Sequence, residues 1–124
     1  MLTTGVDLIE IPRIERSLER YGERFLLRVF TSEEILYTRR RPAELAARFA
    51  AKEAVAKALG VGMRMIAEGG IGWHEAEIVG DGRGKPLVRL NGRAAERAAD
   101  LGLTEWAVSL SHTKEHAIAF VVAR

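Results

Sequence analysis

The 124 residues include no cysteine, and 19 basic side chains against 17 acidic ones leave a net charge of only +2. The length predicts one domain over residues 1–124, and the lack of cysteine excludes a disulfide framework, a thiolate zinc site and a cysteine nucleophile. The small net charge does not indicate a nucleic-acid-binding protein. No apolar run is long enough to cross a membrane and no secretory signal is visible. These features fit a cytoplasmic protein.

Glycine, proline and capping residues divide the chain into short elements. Gly22 and Gly60 are typical helix ends, and Thr31 with Glu34 has the pattern of a capping box. The 81–84 segment predicts a hairpin turn. Together the predicted elements indicate a mixed α+β fold with a mostly antiparallel sheet packed against a long central helix. The predicted elements are a strand over 6–11, helices over 12–21, 23–30, 31–40 and 43–59, a glycine-rich loop over 60–72, strands over 71–79 and 85–90, a helix over 92–101 that Asn91 can cap, and strands over 106–111 and 117–122.

The basic residues are unevenly distributed. Arginine accounts for 15 of the 19, and residues 12–48 carry nine arginines against six glutamates. This local excess predicts either a face for an acidic partner or a solvated surface balanced by helical ion pairs. A nonenzymatic module that binds RNA is therefore an alternative. The eight aromatic residues, however, form no evident base-stacking pattern.

The helix predicted over 43–59 carries charge where a core is expected. On a helical wheel, large apolar residues fill one arc and alanines fill another, so the helix is expected to be enclosed on two sides. Glu53 and Lys57 share the open side, whereas Arg48 and Lys52 fall within the large apolar arc. In one interpretation Glu53 and Lys57 form an ion pair while the other two side chains reach water. In the other, Glu53 faces a cation in a cleft and the basic residues face phosphate.

Three ordered motifs favour the second interpretation. They are GVDLIEIPR at 5–13, RFAAKEAVAKALG at 48–60 and SLSHTKEHA at 109–117. Together they resemble the phosphopantetheinyl transferases, most closely their short, single-domain group. The resemblance covers essentially the whole chain. It implies an enzyme that transfers the phosphopantetheine arm of coenzyme A to a serine of an acyl carrier protein, releasing adenosine 3′,5′-bisphosphate, in fatty acid biosynthesis.

The resemblance also implies roles for particular carboxylates and cations. Asp7 and Glu53 are expected to hold Mg²⁺ on the pyrophosphate, which suits a hard cation that prefers oxygen ligands. Lys57 corresponds to a lysine that neutralises charge near the pyrophosphate. Glu53, Asp7 or a metal-bound water could accept the proton of the carrier serine, and the motif does not decide among them. A degenerate transferase fold that only binds carrier protein is a further alternative, against which the intact Asp7, Glu53 and Lys57 argue.

Other matched positions are expected to bind coenzyme A or the carrier protein. Without the motif, His112 would be interpreted as a hydrogen-bonded strand histidine. The resemblance further implies homotrimers with each active site at a subunit junction. The expected coenzyme contacts are Arg48, Lys52, Lys57, Lys85, Pro86, Ser111 and His112, and the expected contacts to the acidic carrier are Arg13, Arg16, Arg20 and Arg24, the last three forming an i, i+4, i+8 row on one helix face.

Overall fold

A computed structural model describes residues 1–63 and 69–124, and the predicted α+β fold is confirmed. Residues 64–68, which belong to the predicted glycine-rich loop, lie outside the described residues. No helix in the described part of the chain is long and apolar enough to span a membrane. The elements are β1 (Thr3–Glu10), α1 (Ile11–Tyr21), α2 (Glu23–Val29), α3 (Ser32–Thr38), α4 (Pro42–Ala58), a 3-10 turn (Trp73–Glu75), β2 (Ala76–Gly80), β3 (Pro86–Leu90), α5 (Gly92–Asp100), β4 (Trp106–His112) and β5 (His116–Ala123).

The strands form a three-stranded antiparallel sheet and a separate hairpin. The sheet has the order β1-β5-β4, so the first and last motifs of the chain lie on its strands. Ala119 of β5 pairs with Asp7 on one side and with Leu110 on the other, which fixes the register. The hairpin of β2 and β3 lies beside β4. The sheet therefore presents two different edges, one carrying Asp7 and the other facing the hairpin.

Helix α4 is buried on both predicted arcs and packs against the inner face of the sheet. Its alanine arc lets β1 approach so closely that a Cβ at Gly5 would lie 1.9 Å from the carbonyl oxygen of Ala54. The hydroxyl of Thr3 donates to the carbonyl of Ala58 at 2.8 Å, further along the same contact. Only glycine fits at position 5, because the opposing atoms are backbone and cannot rotate away.

The outer face of the three-stranded sheet is exposed and apolar. Side chains alternate along each strand, so the residues between the core positions of β1 and β5 point away from α4. Leu8 is 62% exposed and Phe120 is 45% exposed, with Val6 and Ile118 beside them. Exposed apolar residues grouped on one sheet face are typical of an interaction surface.

Two local predictions are corrected. The strand predicted over 71–79 begins only at Ala76, because Trp73–Glu75 form the 3-10 turn that precedes it. Asn91 occupies the position before α5, but its side chain donates to the carbonyl of His74 at 3.0 Å instead of capping the helix. The capping box of Thr31 and Glu34 is confirmed.

Candidate active site

Asp7, Glu53 and Lys57 meet where β1 crosses α4. Asp7 shares the inner face of β1 with Gly5, and its side chain is 19% exposed. Lys57 donates to Asp7 Oδ1 at 3.0 Å and to the carbonyl of Val6 at 2.8 Å. The predicted open side of α4 thus faces β1, but the lysine pairs with Asp7 and not with Glu53. The interpretation that relies on a Glu53–Lys57 pair is therefore wrong.

Glu53 is a half-buried carboxylate between charges of both signs. Burial raises its pKa above the ordinary value of 4.5, and the negative charge of Asp7 raises that pKa further. The positive charges of Lys57 and Arg13 act in the opposite direction. Within residues 1–63 and 69–124, no hydrogen-bond donor contacts the Glu53 carboxylate. Two carboxylates of which one is unpaired form a local excess of negative charge that a cation would relieve.

The two carboxylates fit a divalent cation whose remaining ligands come from the substrate and from water. Among the described residues, no group of three or more His, Cys, Asp and Glu side chains could hold a metal without other ligands. Mg²⁺ commonly takes one or two carboxylates and completes its shell with phosphate oxygens and water. The charge excess at Asp7 and Glu53 matches that pattern. A closed structural zinc site is a poorer match, because it needs four protein ligands.

A second site is a cavity of about 390 Å³ between α3, α4, the β2–β3 hairpin and β4. It lies beside the β4 edge, whereas Asp7 lies on the strand at the opposite edge of the sheet. Arg48 and Glu53 are five positions apart on α4, so they point about 140° away from each other. One α4 helix therefore contributes to two sites on different sides of the molecule. Five predicted coenzyme contacts line the cavity, namely Arg48, Lys85, Pro86, Ser111 and His112.

Arg48 is the buried cation of this cavity. Only 4% of the residue is exposed, and its guanidinium bonds Glu44 Oε2 at 3.3 Å while lying 4.7 Å from the centre of the Tyr37 ring. Its Nε atom is buried and has no hydrogen-bond partner within the described part of the chain. An unsatisfied donor in a polar cavity is costly unless a ligand accepts from it. The site is therefore suited to an anionic or acceptor-rich ligand.

Lys85, Ser111 and His112, the other predicted polar contacts at this cavity, are exposed. Ser111 and His112 lie at the end of β4, where His112 Nδ1 is 3.2 Å from the carbonyl oxygen of Thr113. The turn that carries Lys85 is shaped by Asp81, whose side chain accepts from the backbone amides of Arg83 and Lys85. The backbone of Lys85 is therefore held beside the cavity by a defined turn.

Lys52 does not belong to either site. Its side chain is fully buried, and its ammonium donates to Glu34 Oε1 at 2.8 Å, to the carbonyl of Trp73 at 2.8 Å and to the carbonyl of Ala76 at 2.9 Å. These contacts use all three N–H donors of a lysine. Burial lowers the pKa of Lys52, which the charge of Glu34 opposes. We therefore correct the sequence prediction that Lys52 contacts coenzyme A, and also the alternative that it reaches water.

Comparisons with known proteins support the family that the three motifs at 5–13, 48–60 and 109–117 predict. Residues 3–121 match the sequence model of the 4′-phosphopantetheinyl transferase superfamily. The chain belongs to this superfamily. A relative from Herpetosiphon aurantiacus named holo-(acyl-carrier-protein) synthase is 54% identical over 98% of each chain. The family prediction made from the three motifs is thereby confirmed.

Solved structures from the superfamily have the same fold. The holo-(acyl-carrier-protein) synthase of Helicobacter pylori, solved in complex with coenzyme A, is 30% identical and has a TM-score of 0.86 over 98% of this chain and 99% of that one. The Chronobacterium ammoniagenes enzyme, solved in complex with coenzyme A, is also 30% identical, with a TM-score of 0.82 over 100% of this chain and 97% of that one. These likenesses cover both candidate sites.

In this transferase the basic α1 helix forms a shallow groove near the carboxylate site. Arg13, Arg16 and Arg20 line it together with Glu19 and Tyr21. The Arg13 guanidinium lies 6.0 Å from the Phe49 ring centre, which anchors α1 to α4. The groove keeps three of the four predicted carrier contacts on one helix.

Arg24 lies outside that row. Gly22 has a φ of 55°, so α1 ends and α2 begins in a new direction before Arg24 is reached. The periodicity of one helix does not continue through a left-handed residue. The predicted single face of Arg16, Arg20 and Arg24 is therefore wrong.

Sequence reasoning missed Tyr37 and Glu44 in the cavity. Glu44 stands four positions before Arg48, and that helical spacing could have identified the pair. Tyr37 reaches the cavity from α3, and its hydroxyl is 3.4 Å from the carbonyl oxygen of Gly84. No local sequence pattern predicts that contact, because it depends on how α3 packs against the hairpin.

Proposed function

We propose that the chain transfers the 4′-phosphopantetheine group of coenzyme A to a serine of apo acyl carrier protein, giving holo carrier protein and adenosine 3′,5′-bisphosphate. The observation that carries the proposal is the meeting of Asp7, Glu53 and Lys57, which come from two distant family motifs. The names of the relatives support the same activity. A role in fatty acid biosynthesis and a cytoplasmic location belong to this proposal as well.

The reaction exchanges the phosphoanhydride bond of the coenzyme A pyrophosphate for a phosphate ester bond to serine. The serine oxygen bonds to the phosphorus that carries the pantetheine arm, and the bond from that phosphorus to the departing adenosine bisphosphate breaks. Lys57 stands beside Asp7 with half of its side chain exposed. Its ammonium can therefore balance the negative charge that develops on the phosphate oxygens.

Asp7 and Glu53 are the residues that would hold Mg²⁺. The cation would shield charge on the pyrophosphate and stabilise the leaving phosphate. The chain supplies two carboxylates, one of them free of hydrogen bonds in the described residues. This arrangement leaves coordination positions for substrate oxygens and water.

Glu53 is our candidate to accept the serine proton, directly or through a water molecule. Its carboxylate is half-buried and has no donor among the described residues. Asp7, by contrast, already accepts from Lys57. Because Glu53 accepts no hydrogen bond from the described residues, one of its oxygens stays available to the serine hydroxyl or to a bridging water.

The cavity beside β4 is the proposed site of the nucleotide half of coenzyme A. Arg48 offers an unsatisfied buried Nε, and Lys85 adds a second cation. Ser111 and His112 supply hydrogen-bonding groups at the end of β4. Charge-assisted bonds from these groups suit the phosphates of the nucleotide.

We also propose a homotrimer in which the two sites come from neighbouring subunits. The carboxylate site and the cavity lie at opposite edges of one sheet. One coenzyme A molecule would therefore reach the two sites more readily on neighbouring chains than on a single chain. The apolar outer face around Leu8 and Phe120 offers the surface for that association. Light scattering on the wild type and on Phe120→Lys tests this, because a fully active monomer would refute the trimer.

Acidic carrier protein is proposed to dock on the α1 groove. Arg13, Arg16 and Arg20 place three cations beside the carboxylate site. Such charges steer an acidic partner and fix its orientation. The carrier serine would then approach the coenzyme from the α1 side.

The direct test is mass spectrometry of apo carrier protein after incubation with the enzyme, coenzyme A and Mg²⁺. The expected result is a gain of one phosphopantetheine group, abolished by a chelator and strongly reduced in Glu53→Gln. No mass gain with several apo carrier proteins would refute the proposed activity. RNA binding that depends steeply on salt, without coenzyme A binding, would favour the alternative RNA-binding module.

A further inference from the structure

The interior of the molecule contains a charged network that the chemistry above does not use. Lys52 and Glu34 form an ion pair in which both side chains are fully buried. Two charges taken out of water in this way are expensive, and such a pair is weak evidence for stability in itself. An equally large apolar pair could have filled the same space. The presence of this ion pair in the core therefore needs an explanation, and the groups that it bonds supply one.

The network joins the elements that build the nucleotide cavity. Lys52 links α4 to the chain around the 3-10 turn through the carbonyls of Trp73 and Ala76. Glu34 accepts from the backbone amide of Thr31 at 2.9 Å and from that of Ile78 at 2.9 Å, so it links α3 to β2. One ion pair thus holds α3, α4 and the strand that leads into the hairpin.

Each of these elements places a cavity residue close to the network. Tyr37 stands three positions after Glu34 on α3, and Arg48 stands four positions before Lys52 on α4. These spacings put each pair on one face of its helix. Strand β2, held at Ile78, continues into the turn that carries Lys85.

A second link lies nearer the surface. The Thr31 hydroxyl donates to Glu77 Oε2, and Arg89 on β3 donates to Glu77 Oε1 from its Nε at 2.9 Å. Arg89 also reaches Glu33 on α3 at 3.1 Å. Helix α3 is therefore tied to both strands of the hairpin by charged groups with directional bonds.

We propose that Lys52 and Glu34 are positioning residues that fix the walls of the nucleotide cavity relative to one another. This inference rests on the proposed transfer from coenzyme A. Apolar packing alone tolerates small shifts of elements, whereas a fully satisfied buried polar network specifies one arrangement. Neither side chain touches the proposed ligand. Their effect is on how well Arg48, Tyr37 and Lys85 converge on it.

The test replaces the charged pair by a neutral one of similar size. The double variant Lys52→Met/Glu34→Gln leaves no buried charge without its partner. An unpaired buried charge is the main cause of instability in either single variant. We expect the KM for coenzyme A to rise about tenfold, because small displacements of binding groups are costly. The kcat and the KM for carrier protein should change less than threefold. Calorimetry should show the same loss of affinity for coenzyme A alone.

Leu103→Ala is the matched control. Leu103 is a buried residue after α5 that does not line the cavity, so its truncation lowers stability without touching the network. If the double variant and Leu103→Ala melt at similarly reduced temperatures and both keep the wild-type KM for coenzyme A, the network is merely structural and the inference is overturned.

A milder variant guards against failure to fold. Thr31→Val removes the hydroxyl that donates to Glu77 Oε2 and accepts from the backbone amide of Glu34, so it weakens the second link and the cap of α3 while the Lys52–Glu34 ion pair keeps both charges. It should raise the KM for coenzyme A a few-fold with an unchanged kcat, and an unaltered KM would contradict a positioning role for the second link. Wild-type protein that transfers nothing would refute the proposed function instead, so the two failures are distinguishable.

Discussion

Lys57 on α4 bonds Asp7 on β1 at 3.0 Å, although 50 positions separate them in the chain. The same ammonium also donates to the carbonyl of Val6, so it is held by one strand through a side chain and a backbone group. This contact orients the lysine toward the two carboxylates. It also means that Asp7 is partly neutralised before any cation binds.

Replacing Lys57 by methionine should lower kcat more than it raises KM. The methionine keeps much of the length of the side chain but loses the charge that stabilises the transferring phosphate, a loss of about 100-fold in turnover. Steady-state transfer to carrier protein measures both constants. Lys114→Met, at an exposed turn between β4 and β5, is the control and should behave as wild type. An unchanged kcat in Lys57→Met would remove this residue from the mechanism.

Glu53 should make the metal-free protein less stable as the pH rises. Its pKa in the folded protein is raised above 4.5 by burial and by Asp7, so the folded state keeps a proton that the unfolded state has lost. The contribution of Glu53 to stability is therefore present below about pH 4.5 and is lost as the pH rises through the folded pKa. Because Glu53→Gln cannot titrate, it should gain stability relative to wild type over that range.

Urea unfolding at a series of pH values, with a chelator present, measures this difference. Glu15→Gln on exposed α1 is the control, and its stability relative to wild type should stay nearly constant. If the stabilities of wild type and Glu53→Gln change in parallel with pH, the raised pKa of Glu53 is refuted.

Arg48→Lys should weaken coenzyme A binding even though the charge is conserved. A lysine cannot stack on Tyr37 or use a planar fork of donors. Loss of one charge-assisted bond costs about 1.5–3 kcal/mol, which is about tenfold or more in Kd. Calorimetric titration with coenzyme A measures the change, and Arg93→Lys on exposed α5 should leave the Kd as it is. Equal affinities for wild type and Arg48→Lys would show that Arg48 does not contact the nucleotide.

Reversing charge at Arg16 and Arg20 should affect the carrier protein and not coenzyme A. The double variant Arg16→Glu/Arg20→Glu replaces two cations of the α1 groove, so repulsion should raise the KM for carrier protein at least tenfold at low salt. The effect should shrink as salt is added. Arg93→Glu/Arg124→Glu reverses the same amount of charge at two exposed positions outside the groove. If it raises the KM equally, net charge and not the groove governs recognition.

The fold class and the grouping of Asp7, Glu53 and Lys57 could be predicted from the sequence, because they depend on local patterns and motifs. It failed for Lys52, whose partner Glu34 lies on another helix. The helical wheel placed Lys52 among apolar residues and so showed that it needed a partner. Which partner it has depends on tertiary packing, and no spacing along the chain records that.

The other errors have local causes. The row of Arg16, Arg20 and Arg24 was counted across Gly22, where the left-handed backbone starts a new helix. The strand predicted from residue 71 includes Trp73–Glu75, which form a 3-10 turn. A segment this short does not distinguish a strand from a helical turn by periodicity alone.

The close approach of Gly5 to Ala54 has a consequence for the carboxylate pair. Asp7 lies two residues after Gly5 on the same face of β1, and Glu53 immediately precedes Ala54. Their separation is therefore set where two main chains touch, without an intervening side chain that could be trimmed or enlarged. Substitutions nearby should change the stability of the protein before they change the radius of the cation that the pair is proposed to hold.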